Sequence, residues 1–281
     1  MKAMYLVMHQ RKPNVVALTE QIVSTFHRAG MSVTAEPWLE ERMGERAGAL
    51  FAHAAPACCE AIVSVGGDGT LLRSNMLSVT YNLPLIGVNV GTLGFMAEVE
   101  LQGLDAACAR LAADEYTIEE RMMLKADLGG RALLALNYVV LSRGAYSRLI
   151  GLNAYVGEEP IGRYIADGLI VSTPTGSTGY SLSAGGPIVS PEVECMLLTP
   201  ICAHSLQHRP VITSAAQRVS VQLDREHAPK ALVCIDGRQS YELTADQTLV
   251  ITRAERKAQF IRLEPRSFFS MIRYKLSEWS C

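Results

Sequence analysis

The feature that most constrains this fold is a change of texture along the chain. Before about residue 120, apolar strand-like runs alternate with helix-like ones. Beyond it, short β-like runs follow one another and long amphipathic helical patterns are scarce. Alternating strand and helix units argue for a parallel sheet flanked by helices. Short strands separated by Gly, Asn, Asp and Pro argue for two packed sheets. The expected fold is therefore an α/β N-terminal domain with a parallel sheet, plus an all-β, sandwich-like C-terminal domain. A length of 281 residues allows two domains. The expected boundaries are 1–120, joined by the tail 260–281, and 121–259.

The individual runs give this detail. Met4–Met8 reads as a strand. Val15, Leu18, Ile22 and Phe26 follow at helical spacing and stop at Gly30. Glu60–Val65 and Pro84–Asn89 are further strands. A helix from Thr70 to about Val79 lies between them, and another covers Leu104–Leu111. The later strand-like runs are Leu124–Leu128, Ala132–Leu141, Leu152–Val156, Gly168–Ser172, Val211–Ile212, Val219–Leu223, Leu232–Ile235 and Thr248–Ile251. In the tail Phe268–Trp279, residues Phe268, Met271, Ile272 and Leu276 are spaced for a helix that folds back on the first domain.

Composition excludes several classes. Lys plus Arg number 26 against 28 Asp plus Glu, so no basic excess points to nucleic acid or an anionic membrane. Two 24-residue stretches, Ser74–Ala97 and Gly168–Pro191, carry no charge. Gly, Pro, Ser, Thr and Asn interrupt both, unlike a spanning helix. The N-terminal run MKAMYLVMHQRKPN has too short an apolar core for a secretory signal. Seven cysteines (Cys58, Cys59, Cys108, Cys195, Cys202, Cys234, Cys281) form no C-x-x-C. Reduced thiols in a cytoplasmic protein follow.

Three runs stand out as chemistry. In Val65-Gly66-Gly67-Asp68-Gly69-Thr70 a buried strand meets glycines, an acid and a helix start. Free N–H groups at such a helix start suit phosphate. Asp68 is either a cap or an acceptor of a hydroxyl proton beside that phosphate. The loop is neither a Walker A sequence nor G-x-G-x-x-G. The second run, Asn89-Val90-Gly91-Thr92-Leu93-Gly94-Phe95, follows the next strand. Both loops should lie at the same sheet edge, where ligands bind in open parallel sheets. The third run, Asp167–Pro187, is dominated by hydroxyls and glycines and includes Thr175, Thr178, Gly179, Tyr180 and Ser183. A bland loop of that length is uncommon. Cys234-Ile235-Asp236-Gly237 reads on its own as a hairpin turn.

Together these runs resemble the NAD kinase family, in the right order over nearly the whole chain. The resemblance rests on GGDGT at 66–70, N-x-G-x-L-G-F at 89–95, E-x-R-x-x-L at 119–124, Leu136-Asn137, DGLIVSTPTGST at 167–178, SLSAGGPI at 181–188 and Arg209-Pro210. It implies transfer of the γ-phosphoryl of ATP to the 2′-hydroxyl of the adenosine ribose of NAD, giving NADP. It makes Asp68 the general base. Gly66, Gly67, Gly69, Thr70, Asn89 and Gly91 would serve phosphates. Asn137 would hydrogen-bond adenine, and Asp167 would lie by the nicotinamide. Thr178, Tyr180 and Ser183 would line the adenosine pocket, with Tyr180 against adenine, and Thr175, Tyr138 and Gly179 would be further nucleotide-binding residues. Asp236 would approach the ribose, including that of a dinucleotide in a neighbouring subunit. Magnesium would come with ATP, with no all-protein metal cage, and the chain would be a homodimer or homotetramer.

Three departures qualify the likeness. Tyr138 stands where the family usually has Glu, Gly179 where it has Ala, and Ile165 where many members have Arg. Arg163 would offer that charge from a shifted register. Two other readings compete. A lipid kinase of the diacylglycerol or sphingosine type shares GGDGT but leaves the 167–187 run without a reason. A non-catalytic NAD-binding relative would explain Tyr138, and the intact Asp68 argues against it.

Overall fold

In a computed structural model of the protein, the described residues are 1–91, 94–145, 148–205, 207–227, 229–265 and 267–278. Thr92, Leu93, Trp279 and Cys281, and the side chain of Leu276, all part of the readings above, lie outside the described residues. The chain divides into two compact units. One is Met1–Glu120 with Ala258–Cys281, the other Arg121–Lys257.

The first unit is built on a seven-stranded sheet. Its spatial order is Ser32–Ala35, Ala3–Met8, Ala61–Gly66, Leu85–Asn89, Ala258–Arg262 and Thr117–Arg121, with Val99–Glu100 also on Leu85–Asn89. The first four strands pair in parallel. Strands covered on both faces read as continuous apolar runs, and AMYLVM and AIVSVG are buried almost throughout. The helix Val15–Arg28 lays Leu18, Ile22, Val23 and Phe26 into this core. It ends where Gly30 takes φ 77°. The tail returns to this unit, with Phe260 opposite Leu85 and Ile261 in the core. The helix Phe268–Glu278 follows.

The second unit stacks two six-stranded antiparallel sheets. One runs Glu159–Ala166, Ile150–Val156, Val219–Leu223, Thr248–Arg253, Leu124–Leu128, Arg131–Ala135. The other runs Val211–Ser214, Cys195–Ile201, Gly168–Ser172, Tyr138–Ser142, Lys230–Ile235, Gln239–Thr244. Alternate residues from both meet in one core, among them Leu124, Leu152, Val221 and Leu249 against Leu141, Leu169, Leu198 and Val233. Removing one such leucine side chain costs about 2–5 kcal/mol.

Several details differ from the sequence reading. The run Ala132–Leu141 is two strands, broken at Leu136-Asn137, because the amides there bond to Asp236 rather than continue a ladder. Cys195–Ile201 is a buried strand although it contains Pro200, a residue that demotes a run to an edge. Its neighbour's pairing stops at Leu198, so no donor is demanded of Pro200 on that side. Thr117–Arg121 and Gln239–Thr244 are too polar to announce themselves as strands. The helix starting at the glycine loop runs Asp68–Tyr81 and ends at Asn82 in the left-handed region.

Candidate functional site

In the first unit, Gly66 pairs with Asn89 across adjacent parallel strands. The two glycine loops therefore leave the sheet side by side at its C-terminal edge. Asn89 holds its own loop. Its Nδ2 donates to the Gly91 carbonyl at 3.2 Å, and its Oδ1 accepts from the Gly91 amide at 3.3 Å. Gly67, Gly69, Thr70 and Gly91 border a cavity of about 520 Å³. The 14-residue helix Asp68–Tyr81 begins there. Its unpaired amides and positive end face any anion in that space.

Asp68 opens this helix without capping it through its side chain. Instead its carboxylate accepts from the Phe95 amide at 2.9 Å and the Met96 amide at 3.3 Å. This packing requires Gly94, where a Cβ would sit 2.0 Å from Asp68 Oδ1. A carboxylate has about four acceptor positions, so two amides fix its orientation and leave acceptor capacity.

The loop that holds Asp68 is itself held. Arg262 donates to the Met96 carbonyl at 3.4 Å and to Glu98 at 2.9 Å, and pairs with Glu119. Glu98 also accepts from the Leu263 amide at 3.0 Å. Arg262 and Glu98 are buried. A nearby post does the same for the helix. Arg73 pairs with buried Glu36 and donates to the Met8 carbonyl at 2.6 Å.

In the second unit, the hydroxyl-rich run is mostly interior. After Gly168–Ser172 it makes a 3-10 turn at Thr175–Thr178 and one helical turn at Tyr180–Ser183. The hydroxyls divide by role. Thr173 donates to the Leu136 carbonyl at 2.6 Å and accepts from the Gly176 amide. Ser177 bonds the Val189 backbone, and Ser181 bonds Thr199 at 2.9 Å. Thr175 is also buried, within 3.4 Å of Arg121. Thr178 and Gly179 are half-buried, while Tyr180 and Ser183 are exposed. Gly176 is dictated by contact, since a Cβ there would lie 2.1 Å from the Asn137 carbonyl oxygen.

Asp236 sits in the hairpin Ile235-Asp236-Gly237-Arg238, with positive φ at Asp236 and Gly237. Its carboxylate turns inward and accepts from the amides of Leu136, Asn137 and Tyr138 at 2.8–2.9 Å. Burial raises its pKa, and the three amides only partly oppose this. The Asn137-Tyr138 backbone is thereby fixed. Asn137 Oδ1 is buried without a hydrogen-bond partner. The Tyr138 ring meets Tyr180 edge-on, with centroids 6.2 Å apart. Burial, then Asp236, push the Tyr138 phenol pKa up.

Asp167 pairs with Arg143 at 2.6 Å, both side chains about one-third exposed. This corrects the expectation that Arg163 supplies that charge. Arg163 pairs instead with Asp224, just past the strand Val219–Leu223, and lies 3.8 Å from Glu226. Partial burial pushes the Asp224 carboxyl up, but the Glu226 amide and Arg163 together draw it below the usual range. Asp224, Glu226 and His227 are the one group of three candidate metal-ligating side chains among the described residues.

Sequence reasoning did not pick out Arg11, Lys12, Arg73, Arg143, Glu98 or Arg262. A signal existed for the first two. They follow directly on the first strand, at the sheet edge where parallel sheets bind ligands.

Residues 4–116 match the family profile described as the ATP-NAD kinase N-terminal domain, and residues 136–263 that of the ATP-NAD kinase C-terminal domain. The chain is 36% identical to the NAD kinase of Lachnoclostridium phytofermentans, over 99% of this chain and all of that one. It is 45% identical to that of Moorella thermoacetica, over 78% and 71%. Among solved structures it resembles an NAD kinase from Archaeoglobus fulgidus in complex with ATP. That match has a TM-score of 0.76 and 24% identity, over 99% of each chain. It also resembles yeast NADH kinase complexed with NADH, at a TM-score of 0.79 and 22% identity, over 97% of this chain and 86% of that one.

Proposed function

The chain belongs to the NAD kinase family, and from that premise we propose how its residues divide the reaction. The protein is a phosphotransferase with an alcohol acceptor. It moves the γ-phosphoryl of ATP to the 2′-hydroxyl of the adenosine ribose of NAD, giving NADP.

In our reading Asp68 takes the proton of that hydroxyl. The observation that carries this is its carboxylate, oriented by two amides at a helix start between two glycine loops. Phosphoryl transfer needs positioning and charge neutralisation more than covalent chemistry. Gly66, Gly67, Gly69, Thr70, Asn89 and Gly91 form the phosphate side. The donor enters as MgATP. In this reading magnesium arrives with ATP and is held mostly by phosphate oxygens and water.

In the second unit we assign Asn137 and Tyr180 to adenine and Thr175, Thr178 and Ser183 to the adenosine pocket. Tyr138 and Gly179 adjoin Tyr180, and Asp167 serves the nicotinamide end. Asp236 acts by fixing the Asn137-Tyr138 backbone. We further propose a homodimer or homotetramer, supported by exposed Val193, Ile212 and Leu232. A reducing cytoplasmic setting suits the six described cysteines, all unpaired. Among the described residues no helix is long and apolar enough to cross a membrane.

One assay tests the reading. The protein is incubated with ATP, magnesium and either NAD, NADH or diacylglycerol. NADP is expected from NAD, and absence of NADP or NADPH from both dinucleotides overturns it.

A further inference from the structure

We propose that Arg11 and Lys12 bind the polyphosphate chain of the donor. The proposal rests on the reading of ATP as donor. It starts from the 520 Å³ cavity bordered by the glycine loops. Among the described residues, three side chains of fixed positive charge line it, Arg11, Lys12 and Arg73, and no carboxylate side chain does. In a chain whose net charge is −2, that is a local concentration of one sign.

The three cations are not equivalent. Arg73 is committed to Glu36 and the Met8 carbonyl, so it braces the cavity wall. Lys12 donates one hydrogen bond, to the Val90 carbonyl at 2.6 Å. That bond sets the ammonium beside the second glycine loop, 3.8 Å from where a Gly91 Cβ would be. Its other two N–H donors remain. Arg11 is exposed, and its guanidinium has no carboxylate partner among the described residues. A planar guanidinium and a point-charge ammonium facing a helix start form a set that matches consecutive phosphates. His9 is the one ring among the described lining residues, and the cations and backbone amides beside it suit phosphate.

The test uses full-length protein with Arg11→Gln, Lys12→Gln and the double substitution. Binding of magnesium tripolyphosphate is measured by calorimetry, and KM for ATP and NAD by steady-state kinetics. Each single change should weaken tripolyphosphate binding and raise KM for ATP about tenfold, or about 1.4 kcal/mol. The double change should cost about a hundredfold, with KM for NAD within about twofold. Lys12→Arg should recover most of the affinity. An unchanged tripolyphosphate Kd in the double variant overturns the proposal. So does a lower melting temperature for Lys12→Gln at unchanged affinity, which would make Lys12 only a strut to Val90. If the unsubstituted protein binds tripolyphosphate through these two residues yet makes no NADP, the phosphate site stands and the functional reading falls.

Discussion

Two aspartates, one in each unit, receive backbone amides on a buried or half-buried carboxylate. Asp68 takes two and stays half-exposed beside open space. Asp236 takes three and is 8% exposed. The first is oriented with acceptor capacity to spare. The second is a knot that ties a hairpin to the strand break carrying Asn137. The same kind of side chain, held by backbone amides, thus keeps acceptor capacity in one place and is used as scaffolding in the other. The difference is burial and the number of amides.

The sharpest way to break this contrast is Asp68→Asn. If Asp68 is the base, turnover should fall about 10²–10⁴-fold, while NAD affinity measured by calorimetry stays within about twofold. A normal kcat would remove Asp68 from the chemistry.

Next in size is Arg262→Met, which removes the Arg262 guanidinium from Glu98 and Glu119. Breaking a buried pair costs about 3–5 kcal/mol, so urea denaturation should show a loss of that order. Arg262 also holds the Met96 carbonyl, so kcat should fall more than KM for NAD rises.

Asp236→Asn tests the structural half. An amide offers one acceptor oxygen and turns a donor toward a backbone N–H. The expected loss is about 1–3 kcal/mol, read by chemical denaturation. The pH dependence has a definite sign. The folded-state pKa of Asp236 lies above its unfolded value, so the native state holds the proton longer. Its contribution to stability is therefore present below the unfolded pKa and is lost as pH rises through the folded one. Asp236→Asn should flatten that part of the profile.

The smallest effect expected is at the aromatic pair. Tyr180→Ala should raise KM for NAD about tenfold, given about 1–3 kcal/mol for stacking on a base, and leave KM for ATP unchanged. Tyr138→Glu should tighten NAD binding if a carboxylate at that position serves the dinucleotide. Unchanged affinity would show that the aromatic pocket compensates.

Much was legible from the sequence alone. Strand–helix alternation and then short strands reported a parallel-sheet unit and a β-sandwich, because apolar period follows directly from which faces are buried. Gly66–Thr70 and Asn89–Gly94 were legible because glycine at a strand end is a local signal. The sequence could not show that Ala132–Leu141 breaks in two. That break depends on Asp236, about a hundred residues away. Nor could it pair Asp167 with Arg143 rather than Arg163, since that choice lies in strand register.

What the sequence by itself determined, then, is the class of each unit and where backbone is freed to meet a ligand. Both are properties of neighbouring residues. Which carboxylate keeps free acceptor positions, which hydroxyls of 167–187 face inward and which cations stay uncommitted were decided only by the tertiary structure. They depend on the partners that distant segments bring. Arg73 and Lys12 show this: both line one cavity, but among the described residues only Arg73 finds a carboxylate, Glu36. A residue's charge is written in the sequence, and whether that charge is already neutralised is set by packing.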